Sequence, residues 1–395
     1  MYGPEFTDDL HGFYRRTRAE HGLVAPALLT GDIPVWLVTS YQEILRILRN
    51  PELFGRSSYR WNQWPRIPDD WELMFPLIRI PTVLHVEGAE HERRAEVITD
   101  VMENVDQVEL ARMCERAADR VIASFGADGE ADLIGQYAQP LALGVMARLM
   151  GVPAERIPPL TADFLLGATA NPDNAEAGMR CLQALGEITV QDREAPADGL
   201  ITEMVRHPAG LSDEELVLDL LVFFGAGGLS TGNWIGSALR LMLSGDEFSP
   251  SPPGGRISVE QALTEVLWRD PPMHNVVGRW PVRDVEVGGR RIREGDAICL
   301  GLAGANEDAR LRSGPDAAAM NRAHLAFGHG AHSCPVGAAA IAEVMARTAV
   351  ETLLDRLPDA SLSVPEASLR WRESSWLRNL ESLPVTFAPV TPPPG

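Results

Sequence analysis

One short segment near the C-terminus constrains the fold of this chain more than any other. Residues 326–334 read AFGHGAHSC, and after Pro335 an alanine-rich run predicts a helix. Cys334 therefore lies at the mouth of a glycine-rich turn, just before a helix N-terminus, whose partial positive charge favours a thiolate. Because glycine has no side chain, the backbone of this turn can approach the sulfur and a flat ligand closely. The segment predicts a site built around Cys334.

This segment resembles the haem-binding loop of the cytochrome P450 family, whose pattern reads Phe-Gly-x-Gly-x-His-x-Cys. Its fixed positions are matched by Phe327, Gly328, Gly330, His332 and Cys334. The resemblance implies that Cys334 binds the iron of haem b, that Phe327 packs beside the sulfur and that His332 reaches a haem propionate. A thiolate ligand on haem iron favours O–O cleavage. A lone buried cysteine in a glycine-rich turn would imply none of this, and the complete pattern favours the haem site.

The rest of the chain predicts a mainly α fold with small β-sheets (α+β). The pattern gives helices and short strands in this order: a hairpin over 24–38, a helix from Tyr41, mostly helices over 90–243, a helix over 258–269, a hairpin with a Gly-Gly turn over 285–292, the helix after Cys334 and short strands over 362–387. This order resembles the P450 fold, a helical bundle around a buried haem. We expect one domain over residues 1–395.

Composition limits the classes of partner. The chain has 395 residues and a net charge of -20, which argues against nucleic acid or an anionic membrane as a partner. Its four cysteines have no disulfide or metal-site spacing, which indicates a reducing compartment. The N-terminus has neither an apolar run nor a basic leader, so we expect no membrane anchor and a cytoplasmic protein. Microsomal P450s carry an N-terminal anchor, so the resemblance implies a soluble bacterial type.

The predicted central helix, over 212–243, contains the sequence GAGGLSTGN at 225–233. The P450 family places an acid and an alcohol here, after two small residues, to supply protons for oxygen activation. If Gly227 and Gly228 are the small pair, Ser230 takes the acid position and Thr231 the alcohol position. We favour this register because Thr231 then keeps the usual spacing to the later helix.

The other register takes Ala226 and Gly227 as the small pair, which puts Leu229 at the acid position and Ser230 at the alcohol position. In both registers the acid is absent, so a hydroxyl group or an ordered water chain must carry the protons. A glycine-kinked core helix whose hydroxyls bond to their own backbone carbonyls is the alternative interpretation.

A second departure from the family lies on the helix over 258–269. The family has Glu-x-x-Arg here, and with Arg269 at the arginine position the glutamate position holds Val266. Glu265 is one residue away and is turned around the helix. Some actinobacterial P450s lack the pair and carry tryptophan before this arginine, and Trp268 is similar to that subgroup. We expect Arg269 to bond to backbone carbonyls, to Glu265 or to solvent.

The resemblance also implies the groups that hold the haem propionates. His91 matches the histidine of the family motif His-x-x-x-Arg, but the arginine position holds Ala95, and Arg94 is displaced around the helix. Arg279 matches the propionate-binding arginine that precedes the later hairpin. We therefore expect His91, Arg279 and His332 to hold the propionates, with one anchor absent at Ala95.

Substrate-facing candidates follow from position alone. They lie in the tryptophan-rich loop over 59–71, on the central helix, at the entry to a strand and in a C-terminal turn: Trp61, Asn62, Gln63, Trp64, Gly227, Asn275, Val277, Trp376 and Leu377. An aromatic loop suits a planar or indole-bearing guest. The alternative is that these tryptophans seal the core.

The sequence thus predicts a haem-thiolate oxidase or monooxygenase that tailors a bacterial natural product, by hydroxylation or by oxidative C–C or C–N coupling. An indole-containing cyclic dipeptide is one candidate substrate, and a ferredoxin with its reductase would supply electrons. The alternative is a catalytically decayed haem- or ligand-binding protein of the same fold. A flavin or metal enzyme of another fold is the third interpretation, against which no GxGxxG or HExxH motif occurs.

Overall fold

Helices dominate the architecture, as the sequence predicts. The computed structural model describes residues 1–67, 71, 77, 79–167, 175–244, 257–308, 311 and 321–390. The α-helices within these ranges are α1 (Pro4–Thr7), α2 (Leu10–His21), α3 (Tyr41–Leu48), α4 (Gly88–Glu103), α5 (Gln107–Ala123), α6 (Gln139–Met150), α7 (Ile157–Gly167), α8 (Ala175–Glu194), α9 (Leu200–Arg206), α10 (Asp213–Phe224), α11 (Ser230–Leu243), α12 (Val259–Arg269), α13 (Leu302–Asn306) and α14 (Val336–Arg356).

The strands are short and form small sheets. They are β1 (Val24–Leu29), β2 (Ile33–Val38), β3 (Phe54–Gly55), β4 (Glu130–Asp132), β5 (Asn275–Pro281), β6 (Val285–Val287), β7 (Arg290–Ile292), β8 (Ile298–Gly301), β9 (Ser361–Leu362) and β10 (Pro384–Thr386). The largest sheet has the order β1-β2-β8-β5-β3, and the other two are β4-β10-β9 and β6-β7. Both predicted hairpins are confirmed, β1 with β2 and β6 with β7.

Local sequence signals set several helix boundaries. Ser212 and Ser258 form capping boxes with Glu215 and Gln261, which satisfies backbone donors at the starts of α10 and α12. At the end of α6, Gly151 has a φ of 91°, a left-handed conformation that glycine adopts without strain. These signals fix where the helices around the core begin and end.

Helices α10 and α11 form the central helix and are joined by a π-helical stretch, Gly225–Leu229. The central helix, Asp213–Leu243, is long and apolar enough by composition to cross a membrane, yet half of its most apolar window is buried inside the protein. It contacts α6, α12 and α14. A Cβ atom at Gly228 would lie 2.5 Å from the Leu143 side chain, so glycine here permits close packing against α6.

The helix after the cysteine loop, α14, closes the core from the other side. Its buried residues join one apolar cluster with those of α5, α6 and the central helix. At its first turn, a Cβ atom at Gly337 would lie 2.8 Å from the backbone of Met102 in α4. The start of α14 is therefore fixed against α4, the helix that carries His91.

Arg269 pairs with Glu265, which is one of the predicted alternatives. Its Nε lies 3.8 Å from Oε1 of Glu265, one helical turn earlier, and 39% of its side chain is exposed. Val266, at the family's glutamate position, is buried among apolar side chains. The family's buried pair is thus replaced by apolar packing on this face of α12.

A buried ion pair links α4 to the central helix instead. Arg94 donates from Nε to Oδ2 of Asp219 at 2.8 Å and from Nη2 to Oδ1 at 2.5 Å. Both side chains are at most 1% exposed. Next to it, Arg93 pairs with Glu215 near the surface, where its side chain is 34% exposed.

Removing Arg94 should therefore cost far more stability than removing its neighbour. We expect Arg94→Met to destabilise the haem-loaded protein by about 3–5 kcal/mol, because it leaves the Asp219 carboxylate buried without its partner. Arg93→Met is the matched control and should cost about 1 kcal/mol or less, because its ion pair is partly exposed. Urea unfolding of both variants provides the comparison, and equal losses of stability would contradict this interpretation.

Candidate haem site

The loop before α14 is closed by backbone hydrogen bonds. The Cys334 amide donates to the Phe327 carbonyl at 2.8 Å, and the Ser333 amide donates to Gly330 at 3.0 Å. Gly328 and Gly330 have φ values of 70° and 77°, which glycine adopts without strain. A Cβ atom at Gly330 would also lie 2.2 Å from the Leu48 carbonyl oxygen. The shape of this turn therefore requires glycine at positions 328 and 330.

The ionisation of Cys334 corrects one sequence-based expectation. Helix α14 begins at Val336, so its N-terminus follows the cysteine as predicted. Burial nevertheless raises the pKa of the Cys334 thiol to about 11. Burial therefore outweighs the helix N-terminus in the polypeptide alone, and a metal ion bound to the sulfur would displace the thiol proton.

Three residues that the family pattern did not identify hold the loop in place. The side chain of Asn306 donates to the Leu267 carbonyl at 3.1 Å and accepts from the Leu325 amide at 3.0 Å. Trp268 donates from Nε1 to the Asn321 carbonyl at 2.9 Å. Trp234 of α11 packs edge-on against Phe327, with ring centroids 6.0 Å apart. These contacts tie the loop to α12, α13 and the central helix.

The structure brings together the predicted propionate anchors. The rings of His91 and His332 lie 3.8 Å apart between centroids, and Arg279 is 5% exposed. Burial lowers the pKa of His91, and burial together with Arg279 lowers the pKa of His332 to about 2. Both imidazoles are therefore neutral at pH 7, and each retains an N–H group that can donate to a carboxylate. Burial also lowers the pKa of Arg279 to about 10.

A second buried arginine, which the sequence analysis missed, completes this group. Arg56 is 5% exposed. Burial is the main cause that lowers the pKa of its guanidinium well below the usual value, and the charge of Arg279 lowers it further. We call Arg56, His91, Arg279 and His332 the cationic site, because its two arginines are charged while its two imidazoles are neutral. No recognisable motif surrounds Arg56 in the sequence, so only its position in the folded sheet reveals it.

The cationic site fits a ligand with two carboxylates. Within the described ranges, neither Arg56 nor Arg279 forms an ion pair with an acidic side chain, and the Arg279 guanidinium donates to the carbonyl of Gly278. Glu87 is the neighbouring acid, but both of its oxygens accept from Arg60 or from backbone amides. Uncompensated buried charge is costly. Haem b carries two propionates and needs one thiolate, and these residues supply partners for all three.

Arg94 does not belong to the cationic site. Its guanidinium is held by Asp219 and by the Pro81 carbonyl, 2.7 Å away. It therefore does not replace the arginine that is absent at Ala95.

The central helix presents different faces at Ser230 and Thr231. Ala226 and Ser230 lie one turn apart on one face of the helix, where Ala226 is exposed and Ser230 is half-buried. The next residue of that face, one turn later, is Trp234, which contacts Phe327 of the cysteine loop. Thr231 is only 2% exposed. A Cβ atom at Gly227 would lie 2.4 Å from the Met146 methyl group, so Gly227 packs against α6. That Gly227 faces the substrate stays a prediction.

Other substrate candidates also have structural partners. Trp61 is 2% exposed and lies against Trp64 and Trp71, in the apolar cluster that includes buried residues of the five-stranded sheet. The Asn62 amide donates to the Glu294 carbonyl at 3.1 Å and to Asp296 at 2.7 Å. Trp61 is thus a core residue, which agrees with the alternative that these tryptophans seal the core, and Asn62 anchors its loop to the turn before β8.

The strand entry gives a correction. Asn275 and Val277 are 0% exposed. The Asn275 side chain accepts from the Tyr14 hydroxyl at 2.8 Å and donates to the Ser375 carbonyl at 2.9 Å. Neither side chain therefore has surface open to a guest, and Asn275 instead fixes the neighbouring turn.

Six candidates keep accessible surface, and their substrate contacts stay predictions: Asn62, Gln63, Trp64, Gly227, Trp376 and Leu377. Gln63 bonds to Asn62 and Arg66. In the tryptophan-rich loop over 59–71, which carries Gln63 and Trp64, residues 68–70 lie outside the described residues.

Known bacterial proteins are similar to this chain over nearly its whole length. The chain is 29% identical over 392 residues to cytochrome P450 107B1 of Saccharopolyspora erythraea, covering 96% of this chain and 95% of that protein. It is 29% identical over 398 residues to the vitamin D(3) 25-hydroxylase of Pseudonocardia autotrophica, covering 98% and 96%. The solved structure of the bacillaene polyketide synthase cytochrome P450 PksS of Bacillus subtilis superposes with a TM-score of 0.82 at 25% identity, covering 98% of both chains. No protein-family model matches the chain.

If Cys334 is the iron ligand, its loss should change the optical spectrum specifically. We expect Cys334→Ala to abolish the thiolate-type Soret band of the reduced, carbon-monoxide-treated protein. Cys299→Ala is the control and should leave the band unchanged, because Cys299 is fully buried in β8, within the N-terminal sheet. Survival of the band in Cys334→Ala would contradict the assignment.

Proposed function

This chain belongs to the bacterial cytochrome P450s, and we propose that it tailors a small-molecule natural product by hydroxylation or by oxidative C–C or C–N coupling. It is a monooxygenase, and its cofactor is haem b. Haem bound through a cysteine thiolate supplies the O–O cleavage that such an oxidation requires. The observation that carries the proposal is the convergence of the Cys334 loop, the cationic site and one face of the central helix.

Within this site, the residues divide the work of holding the cofactor. Cys334 supplies the sulfur ligand, and Phe327 shields it on the side of Trp234. His91, Arg279 and His332 hold the propionates by charge-assisted or neutral N–H hydrogen bonds. The Gly328 backbone leaves room for the flat ring, because no side chain projects there.

Ser230 is the alcohol that passes protons towards the oxygen site. It keeps accessible surface on the face of the central helix that continues to Trp234 and the cysteine loop, whereas Thr231 is buried. This favours the register with Leu229 at the acid position and Ser230 at the alcohol position. The register with Ser230 and Thr231 at these positions, which residue spacing had favoured, is disfavoured. Since leucine cannot transfer a proton, ordered water must link Ser230 to solvent.

The proposed substrate class follows from the names of similar proteins and from two aromatic side chains. Two of the similar proteins are named for vitamin D(3) and for a polyketide synthase, which suggests a bulky, largely apolar guest. Trp64 and Trp376 are half-buried aromatic side chains that could stack on an indole-bearing cyclic dipeptide. Difference spectra against a library of such cyclic dipeptides and polyketides test this, since a true substrate displaces iron-bound water and shifts the Soret band.

Electrons reach such an enzyme from a partner protein. We propose a ferredoxin with its reductase, in the cytoplasm. NADPH consumption with surrogate partners, measured with and without the substrate found above, checks this part of the proposal.

Ser230 and Thr231 give a matched pair of variants for the proton-transfer role. We expect Ser230→Ala to lower the product formed per NADPH consumed about tenfold or more, within the range of general acid–base contributions, with hydrogen peroxide rising correspondingly. Thr231→Ala should keep the coupling ratio within about twofold, because its side chain lies away from the site.

Both variants should keep the thiolate-type carbon-monoxide spectrum, which shows that haem is bound normally. If Thr231→Ala uncouples the reaction and Ser230→Ala does not, the register preferred from the sequence is right and the one proposed here is wrong.

A further inference from the structure

Arg56 has an unusual position in the large sheet. It directly follows β3, which pairs antiparallel with β5 through Phe54 opposite Pro281 and Gly55 opposite Trp280. Continuing this register places Arg56 opposite Arg279. Like charges directly opposite each other in a sheet are destabilising, and burial strengthens their repulsion. This pairing of two buried arginines therefore requires a compensating group.

The strand β5 is shaped to accept the Arg56 guanidinium. Nη1 of Arg56 donates to the carbonyl oxygens of Val277 at 2.9 Å and Gly278 at 2.6 Å. A Cβ atom at Gly278 would lie 2.2 Å from this Nη1, and Gly278 has a φ of 110°. A bulge between Val277 and Arg279 shifts the pairing of β5 with β8 at this point. Only glycine permits this position of the guanidinium.

The hydrogen bonds of Arg56 leave part of its guanidinium available. Both of its side-chain bonds within the described ranges use Nη1, so Nη2 and Nε remain for another acceptor. Glu87 does not provide it, because its oxygens accept from the backbone amides of Arg56 and Ser57 and from the Arg60 side chain. An anion beside Arg56 and Arg279 would satisfy both guanidinium groups.

We propose that Arg56 is a haem-propionate anchor that replaces the arginine absent at Ala95. It supplies from the sheet the positive charge that α4 lacks, since Arg94 is held by Asp219. This inference rests on haem b as the cofactor and is independent of the substrate and of the role of Ser230.

The test is the rate at which the holoenzyme loses haem to an excess of a haem-scavenging apoglobin. We expect Arg56→Gln to lose haem about tenfold faster or more, as the loss of one charge-assisted hydrogen bond implies. Arg56→Lys should lie between Arg56→Gln and the unchanged protein, because it keeps the charge but not the fork of donors. Arg46→Gln is the matched control, an exposed arginine on α3 that should not alter the rate.

A second variant separates propionate binding from a structural role for Arg56. Adding Ala95→Arg to Arg56→Gln restores an arginine on α4 and should recover slow haem loss. The reduction potential of Arg56→Gln should also fall, because removing a cation near the haem stabilises the oxidised form.

Three results would overturn the proposal. They are an unchanged rate in Arg56→Gln, equal acceleration in Arg56→Gln and Arg56→Lys, and failure of Ala95→Arg to recover haem retention. If Arg56→Gln alone takes up no haem, haem uptake by the double variant supports the proposal, and its absence there contradicts it. The carbon-monoxide spectrum, recorded on each variant, checks the haem-thiolate assignment separately.

Discussion

Buried positive charge is the constraint on which the arrangement of this site depends. Continuing the register of β3 and β5 places Arg56 opposite Arg279, and the tilted, neutral rings of His91 and His332 lie in the same site. In a low-dielectric interior such like charges repel strongly, and neutral backbone carbonyls offset only part of that cost. A dianionic ligand such as haem b turns the same arrangement into a favourable one. The polypeptide and its cofactor are therefore electrostatically complementary.

The cysteine loop depends on the cofactor in a different way. Backbone hydrogen bonds and two left-handed glycines set its shape, and Asn306, Trp268 and Trp234 fix it against three helices. Burial raises the pKa of its thiol, so a bound metal ion would have to displace the proton. The fold thus supplies the geometry of the loop, and an iron bound there would supply the ionisation of Cys334. At the family's glutamate position Val266 packs in the apolar core, and Arg269 pairs with Glu265 one turn earlier.

Sequence patterns predicted the parts of the fold that local chemistry determines. Turn residues predict the glycine-rich loop and the two hairpins. Periodicity predicts α12, the helix that ends at Arg269, and a capping box at Ser258 marks its start. His91, Arg279 and His332 come together as the resemblance implies. Their convergence was predictable because each lies in a recognisable motif.

The remaining features depend on contacts between distant segments. Arg56 meets Arg279 through the register of two strands, which no local pattern reveals. The π-helical stretch at Gly225–Leu229 changes which residues of the central helix share a face, so spacing alone could not decide between Ser230 and Thr231. Asn275 and Trp61 are polar or aromatic residues near the site, but long-range hydrogen bonding and packing place them in the core.

The central claim is that the carboxylates of the cofactor neutralise the cationic site, and haem dimethyl ester tests it most directly. The ester keeps the iron and the ring but carries no propionate charge. Reconstitution of the full chain with haem and with the ester, followed by thermal unfolding, compares the two. We expect haem to stabilise the protein far more, with amide-exchange protection around Arg56 and Arg279 only in the haem form. Equal stabilisation and equal protection by the two cofactors would contradict the account.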